Sequence, residues 1–100
     1  MLSIEKKAEG TQLEIVLKGR LDTTTAPELE QTAKDSLADV KELKLDFKEL
    51  EYVSSAGLRV LLATQKIMTK QGGTMVIRNV SPEVNDIFQV TGFADILTVE

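Results

Sequence analysis

Leu13, Ile15 and Leu17 alternate with Glu14, Val16 and Lys18. This is the period-two pattern of a strand with one buried and one wetter face. Leu2 and Ile4 share one face of residues 1–7, and Glu9-Gly10-Thr11 reads as a turn, so the first two strands predict a hairpin. The clearest alternation lies in 41–47, where Leu43, Leu45 and Phe47 point inward and Glu42, Lys44 and Asp46 outward. Residues 74–78 predict a further strand and 96–99 a short closing one. Residues 19–24 read as a loop, and 48–53 as a short connection.

Three stretches switch to a helical period. Ala26, Leu29, Ala33 and Leu37 form one apolar stripe. It opens on Thr25-Ala26-Pro27-Glu28, which has capping-box spacing with a proline in the first turn, where its missing N–H does no harm. The second helix runs from the Ser54-Ser55 turn to about Lys70, with Gly72-Gly73 as a left-handed stop. The third has Ser81 as N-cap and Pro82 at its first position, buries Val84, Ile87 and Phe88, and ends at Gly92.

The order is therefore β-β-α-β-α-β-α-β. Strands joined through single helices pair in parallel. The outward charges Glu14, Lys18, Glu42, Lys44 and Asp46 require one wetter sheet face. The expected fold class is α/β, a two-layer sandwich of about five strands in a mixed, mostly parallel sheet, with helices mainly on one face. One hundred residues make one domain with a modest core. Loops after parallel strands emerge at the carboxyl edge, where sites gather. The Asp22–Thr24 loop, the Ser54-Ser55 turn and the Asn79-Val80-Ser81 turn are expected as neighbours there.

Composition removes several function classes. The chain has no cysteine and no histidine, which excludes thiolate chemistry, cysteine metal sites and the usual base of a serine hydrolase. No metal or cofactor is expected. A net charge of −4, with twelve basic residues scattered among sixteen acidic ones, opposes nucleic-acid binding. One Tyr, three Phe and no Trp leave little to stack on bases. The apolar run from Val60 to Ala63 is too short for a bilayer, and residues 1–7 lack the h-region of a secretion signal. A cytoplasmic location with no membrane contact is the expectation.

The candidate chemistry lies in Tyr52-Val53-Ser54-Ser55-Ala56-Gly57-Leu58-Arg59, where a strand gives way to an apolar helix. A hydroxyl there meets unpaired backbone N–H groups and the positive end of the helix, which favour an anion. On this pattern alone the first reading of Ser54 or Ser55 is a helix cap. Five of six residues in Leu58–Ala63 are apolar, too many for a single stripe. Burial by helices on both flanks is the simpler account, and a partner surface rimmed by Arg59 the alternative.

Gly19-Arg20-Leu21-Asp22, a helix, Leu45-Asp46-Phe47 and then Tyr52 to Leu58 together resemble the STAS domain family. They are most similar to its stand-alone bacterial anti-sigma factor antagonists, and the resemblance extends through Gly92-Phe93 and Ile96. It implies a regulatory binding protein and no enzyme. The implied partners are an anti-sigma factor that is also a serine kinase, and a PP2C-type phosphatase; a monomer is the expectation for the free protein. Binding would free a sigma factor, and phosphorylation of one serine in the turn would end the binding. The family's block is Asp-Ser-Ser/Thr-Gly-Leu, with the acceptor directly after the aspartate. Aligned on Gly57-Leu58, the acceptor falls on Ser55, with Ser54 as second choice. Ser54 itself takes the place of the aspartate, a departure that removes a charge beside the acceptor. The implied partner surface is Asp22, Thr23, Ser54, Ala56, Gly57, Leu58 and Arg59, with Asp22 matching the family's acidic residue on the neighbouring loop. The alternative is a STAS docking module that is never phosphorylated, as a transport ATPase accessory subunit or a stress-signalling scaffold. A nucleotide-binding role has only Gly72-Gly73, a lone pair without a phosphate-loop lysine.

Overall fold

A computed structural model describes residues 2–100; Met1, the expected first residue of the opening strand, lies outside them. The elements are β1 (Leu2–Glu9), β2 (Gln12–Leu21), α1 (Ala26–Ser36), β3 (Glu42–Val53), α2 (Ser55–Lys70), β4 (Thr74–Arg78) and α3 (Pro82–Thr91), then a single 3-10 turn, Phe93–Asp95. The sheet order is β1-β2-β3-β4. β1 and β2 form the antiparallel hairpin, while β2–β3 and β3–β4 pair in parallel across α1 and α2. The result is a mixed α/β sheet with three helices.

The alternation seen in the sequence is the alternation of burial. Leu13, Ile15, Leu17, Leu43, Leu45, Phe47, Met75 and Ile77 line the inner face, all 4% exposed or less. They meet Leu29 and Ala33 of α1, Leu58, Leu61 and Met68 of α2, and Val84 and Phe88 of α3 in one core. Phe47 and Phe88 face each other at 6.4 Å between ring centres. The other face stays wet. There Lys18 lies 3.4 Å from Glu49 and 3.6 Å from Glu5, and hydrogen bonding to Glu49, then its charge and that of Glu5, raise the ammonium pKa.

Two strand boundaries differ from expectation. β2 runs through Gly19, Arg20 and Leu21, and β3 continues through Lys48–Val53, the stretch expected as loop and connection. Two register shifts, between Val16 and Lys18 and between Gly19 and Arg20, each place one extra residue on β3. These bulges change the inward spacing from Leu45-Phe47 to Phe47-Leu50-Val53, so period two disappears while pairing persists.

The closing strand is the other correction. The sheet has four strands among the described residues, and the chain end adds to β4 only one parallel bridge, Ile77 with Val99. The N–H groups of Ile96 and Leu97 donate back to Phe93 O at 3.0 and 2.8 Å, so these residues are turned and cannot pair. Only 98–100 reach β4, where Ile77 N–H donates to Thr98 O and Glu100 N–H to Ile77 O.

The helix punctuation follows the residues. α2 ends in a Schellman pair: Gly72 N–H donates to Thr69 O at 3.1 Å and Gly73 N–H to Met68 O at 2.8 Å. Gly72 adopts φ +74°, which a side chain would strain. The Thr25–Glu28 capping box does not form: Thr25 is αR and caps nothing. Its hydroxyl instead donates to Arg20 O at 2.8 Å and accepts Asp22 N–H at 2.9 Å. The capping oxygen belongs to Asp22, three residues earlier.

Candidate functional site

The site forms where β2 and β3, the two long strands, end side by side. Ser54 N–H donates to Leu21 O at 2.8 Å, stitching the start of α2 to the end of β2. The next residue after Leu21 is Asp22. Its carboxylate accepts the N–H groups of Thr24 at 3.0 Å and Thr25 at 3.1 Å, the pattern of an N-cap with its second and third residues. The Thr25 N–H bond, together with the Thr25 hydroxyl and Thr24 N–H, holds this carboxyl below its usual pKa against a smaller opposing desolvation. Asp22 thus orders the loop that carries Thr23. Arg20, its neighbour on the wet face, has its guanidinium 4.5 Å above the Tyr52 ring and its Nε 3.9 Å from the Asp22 carboxylate.

Gly57 allows the close approach. A Cβ there would lie 2.8 Å from Leu21 Cγ and 3.0 Å from Leu21 O. Any larger residue would lift the first turn of α2 away from β2.

The two serines have separate duties. Ser54 is extended, and its hydroxyl accepts Gly57 N–H at 3.2 Å, so Ser54 is the cap. Ser55 is the first residue of α2, exposed, and among the described residues its hydroxyl joins no side-chain hydrogen bond. This geometry assigns the cap to Ser54. One serine builds the helix start and the other is presented on it.

Of the remaining expected surface residues, Thr23 and Arg59 are exposed and Asp22 and Ala56 half-buried. Gly57 and Leu58 are buried, Leu58 at 3% exposure. These two shape the site from beneath and present no surface. Val60 and Leu61 are buried as well, so the apolar richness of α2 is core packing, with α1 along one flank. Thr23, Ala56 and Arg59 line a shallow groove between α1 and α2 of about 220 Å³, together with Ala26, Pro27, Glu30 and Val60. Pro27 and Glu30 were missed in the sequence: both sit on the polar side of α1, and nothing in their spacing says that α2 faces them.

The Asn79–Ser81 turn is not a neighbour. Along β3, β4 pairs with Glu42–Asp46 alone, so its carboxyl end stops at Asp46, where Asn79 donates to the Asp46 carboxylate at 3.2 Å. β3 goes on for seven more residues, about 20 Å at ordinary strand rise. Ser81 instead flanks a depression along Lys48–Glu51.

A family model described as "Mlab, STAS domain" matches residues 4–98. The chain belongs to the STAS domain family. This STAS chain is 26% identical over 98 residues to the anti-sigma-B factor antagonist of Bacillus subtilis, covering 98% of this chain and 90% of that one. Its fold is similar to that of an anti-sigma factor antagonist from Mycobacterium paratuberculosis, with a TM-score of 0.86 at 24% identity over 99% of this chain and 85% of that one. It is also similar to SpoIIAA, solved unphosphorylated (TM-score 0.84, 19% identity, 98% of this chain and 88% of that one). The phosphorylated form of that Bacillus cell fate determinant aligns with a TM-score of 0.76 at 18% identity, over 98% and 91%. No helix among the described residues is long and apolar enough to cross a membrane.

Proposed function

We propose that this STAS chain is an anti-sigma factor antagonist: it docks on an anti-sigma factor through the rim of α2 and the Asp22–Thr24 loop, and phosphorylation of Ser55 ends the docking. One observation carries this reading. The cap is made by Ser54 alone, so Ser55 is free to be modified without cost to the fold. The relatives' names support the antagonist role, and a related fold solved in a phosphorylated form supports a switch of this kind.

The partner supplies the chemistry. A kinase of the serine type brings ATP; Ser55 Oγ bonds to the γ-phosphorus, the bond to ADP breaks, and the hydroxyl proton leaves to a base on the kinase. The product carries about −1.5 to −2 charges and three strong acceptors. Backbone N–H groups at a helix start tolerate that charge, so the domain stays folded. The partner does not tolerate it. A phosphate pressed against a surface shaped for a neutral hydroxyl, near partner carboxylates, costs several kcal/mol by repulsion and desolvation. About 3 kcal/mol already weakens binding roughly a hundredfold. A PP2C-type phosphatase would restore docking by hydrolysis of the same ester.

The deciding experiment is the intact mass of the protein from its own cells, in growth and under stress, with phosphosite mapping over residues 50–66. Phosphate on Ser55 that varies with condition is the expected result. Phosphate on Ser54 would move the acceptor by one residue and remove the cap. No phosphate under any condition would sink the switch. It would favour the second reading, a static docking module such as a transport ATPase subunit or signalling scaffold, to which the missing carboxylate before Ser55 already points.

A further inference from the structure

We propose that Arg59 is the built-in counter-ion for phosphate on Ser55, so that modification withdraws a cation from the α1–α2 groove while placing an anion beside it. The inference rests on the reading of Ser55 as acceptor and adds the means by which the modified site is held.

Arg59 comes four residues after Ser55 on the same helix. At about 100° per residue it lies roughly 40° around the axis from Ser55 and 60° from Ala56. Side chains on a helix lean toward its N-terminus, so a residue four places on covers the turn of the earlier one. An acid preceding a base at this spacing is also the more favourable order. Arg59 is available for the task. It is exposed and, among the described residues, joins no ion pair. Across the groove Glu30 is already held by Lys34 at 3.8 Å.

The groove makes the consequence specific. Its lining has two charges, Glu30 and Arg59, which balance. In the unmodified protein Arg59 is thus a cation offered to an acidic partner group. Once Ser55 carries phosphate, the planar guanidinium binds two of its oxygens and swings toward the helix start. The groove lining then loses its one cation to the phosphate. An acidic partner loses its counter-charge and meets a phosphate in one step. Ser54, standing where the family has an aspartate, fits this arrangement, because residue 54 brings no carboxylate of its own to compete for Arg59.

The test needs no kinase. Phosphoserine is installed at position 55 during translation, in the wild-type chain and in Arg59→Gln and Arg59→Lys variants, and the phosphate is titrated by ³¹P NMR. The second phosphate pKa, near 6 when unperturbed, is expected to be about 0.3 unit lower in the wild type than in Arg59→Gln. Arg59→Lys should recover most of that difference, and high salt should erase it. The helix start, Asp22 and Glu30 are common to all three proteins, so the difference isolates Arg59. Equal titrations in wild type and Arg59→Gln would overturn the proposal. If the acceptor in cells proved to be another residue, that would appear in phosphosite mapping and leave this titration unchanged.

Discussion

The starts of α2 and α3 are built alike and used differently. Each has a serine in extended conformation whose hydroxyl accepts the N–H of the third residue on, at 3.2 Å in both: Ser54 with Gly57, and Ser81 with Val84. The residues just after the caps separate them. Behind Ser81 comes Pro82, with neither N–H nor hydroxyl; behind Ser54 comes Ser55, exposed. At the third position α3 sends Val84 into the core, while α2 has Gly57 against the backbone of β2. A serine cap is therefore a structural device at both places. What turns one of them into a candidate site is a second hydroxyl, and a glycine that brings the neighbouring loop within reach.

The two helix starts should diverge most sharply on substitution of Gly57. Gly57→Val forces a side chain into Leu21 at separations real Cβ atoms do not show. It should cost about 1–3 kcal/mol or more, as a lower urea midpoint. It should also loosen docking, because the Asp22 loop moves with Leu21. An unchanged midpoint would mean that the helix start is not pressed on β2 as described.

The caps themselves come next. Ser54→Ala and Ser81→Ala should each lose about 1 kcal/mol, whereas Ser55→Ala should stay within about 0.5 kcal/mol of wild type. In a binding assay the order reverses. Ser55→Ala should dock constitutively on the anti-sigma partner, Ser55→Asp should not, and Ser81→Ala should dock as wild type. A large stability loss in Ser55→Ala would reassign the cap and with it the acceptor.

The smallest effect is a pH dependence at Asp22, which α3 lacks. Hydrogen bonding lowers the folded pKa of Asp22 below its unfolded value. Its contribution is therefore present above the unfolded pKa, near 3.9, and is lost as pH falls through the folded value. The gap in melting temperature between wild type and Asp22→Asn should be constant from pH 7 to 5 and shrink below pH 4. A gap that widened with acid would contradict the direction.

Much of this architecture is legible in the amino-acid sequence. The alternations of 13–18 and 42–47, the stripe of α1, the Gly72 stop and the Ser81 cap are local signals, and local physics places them. Where non-local geometry intervenes, the pattern misleads. The bulges in β3 cancel the alternation of 48–53, because period two presupposes an unbroken ladder. Thr25–Glu28 matches a capping box, yet the Thr25 N–H that Glu28 would accept goes to the Asp22 carboxylate and the Thr25 hydroxyl goes to Arg20 O, partners that spacing alone does not reveal. Placing the Asn79–Ser81 turn at the site presupposes strands of equal length. Which of Ser54 and Ser55 caps α2 is decided by one hydrogen bond, from Gly57 N–H to Ser54 Oγ.

That inequality of lengths has a mechanical corollary. With β3 of twelve residues beside β4 of five, the carboxyl side of the sheet is a staircase, with Ser55 on its upper tread and Asn79–Ser81 on the lower. The depression bordered by Ser81, Glu83 and Lys48–Glu51 lies along the step between the two treads. Lengthening the 79–81 turn by a few residues would fill the step and leave the upper tread unaltered. The drop between the treads is therefore a ready-made place to fasten a second grip.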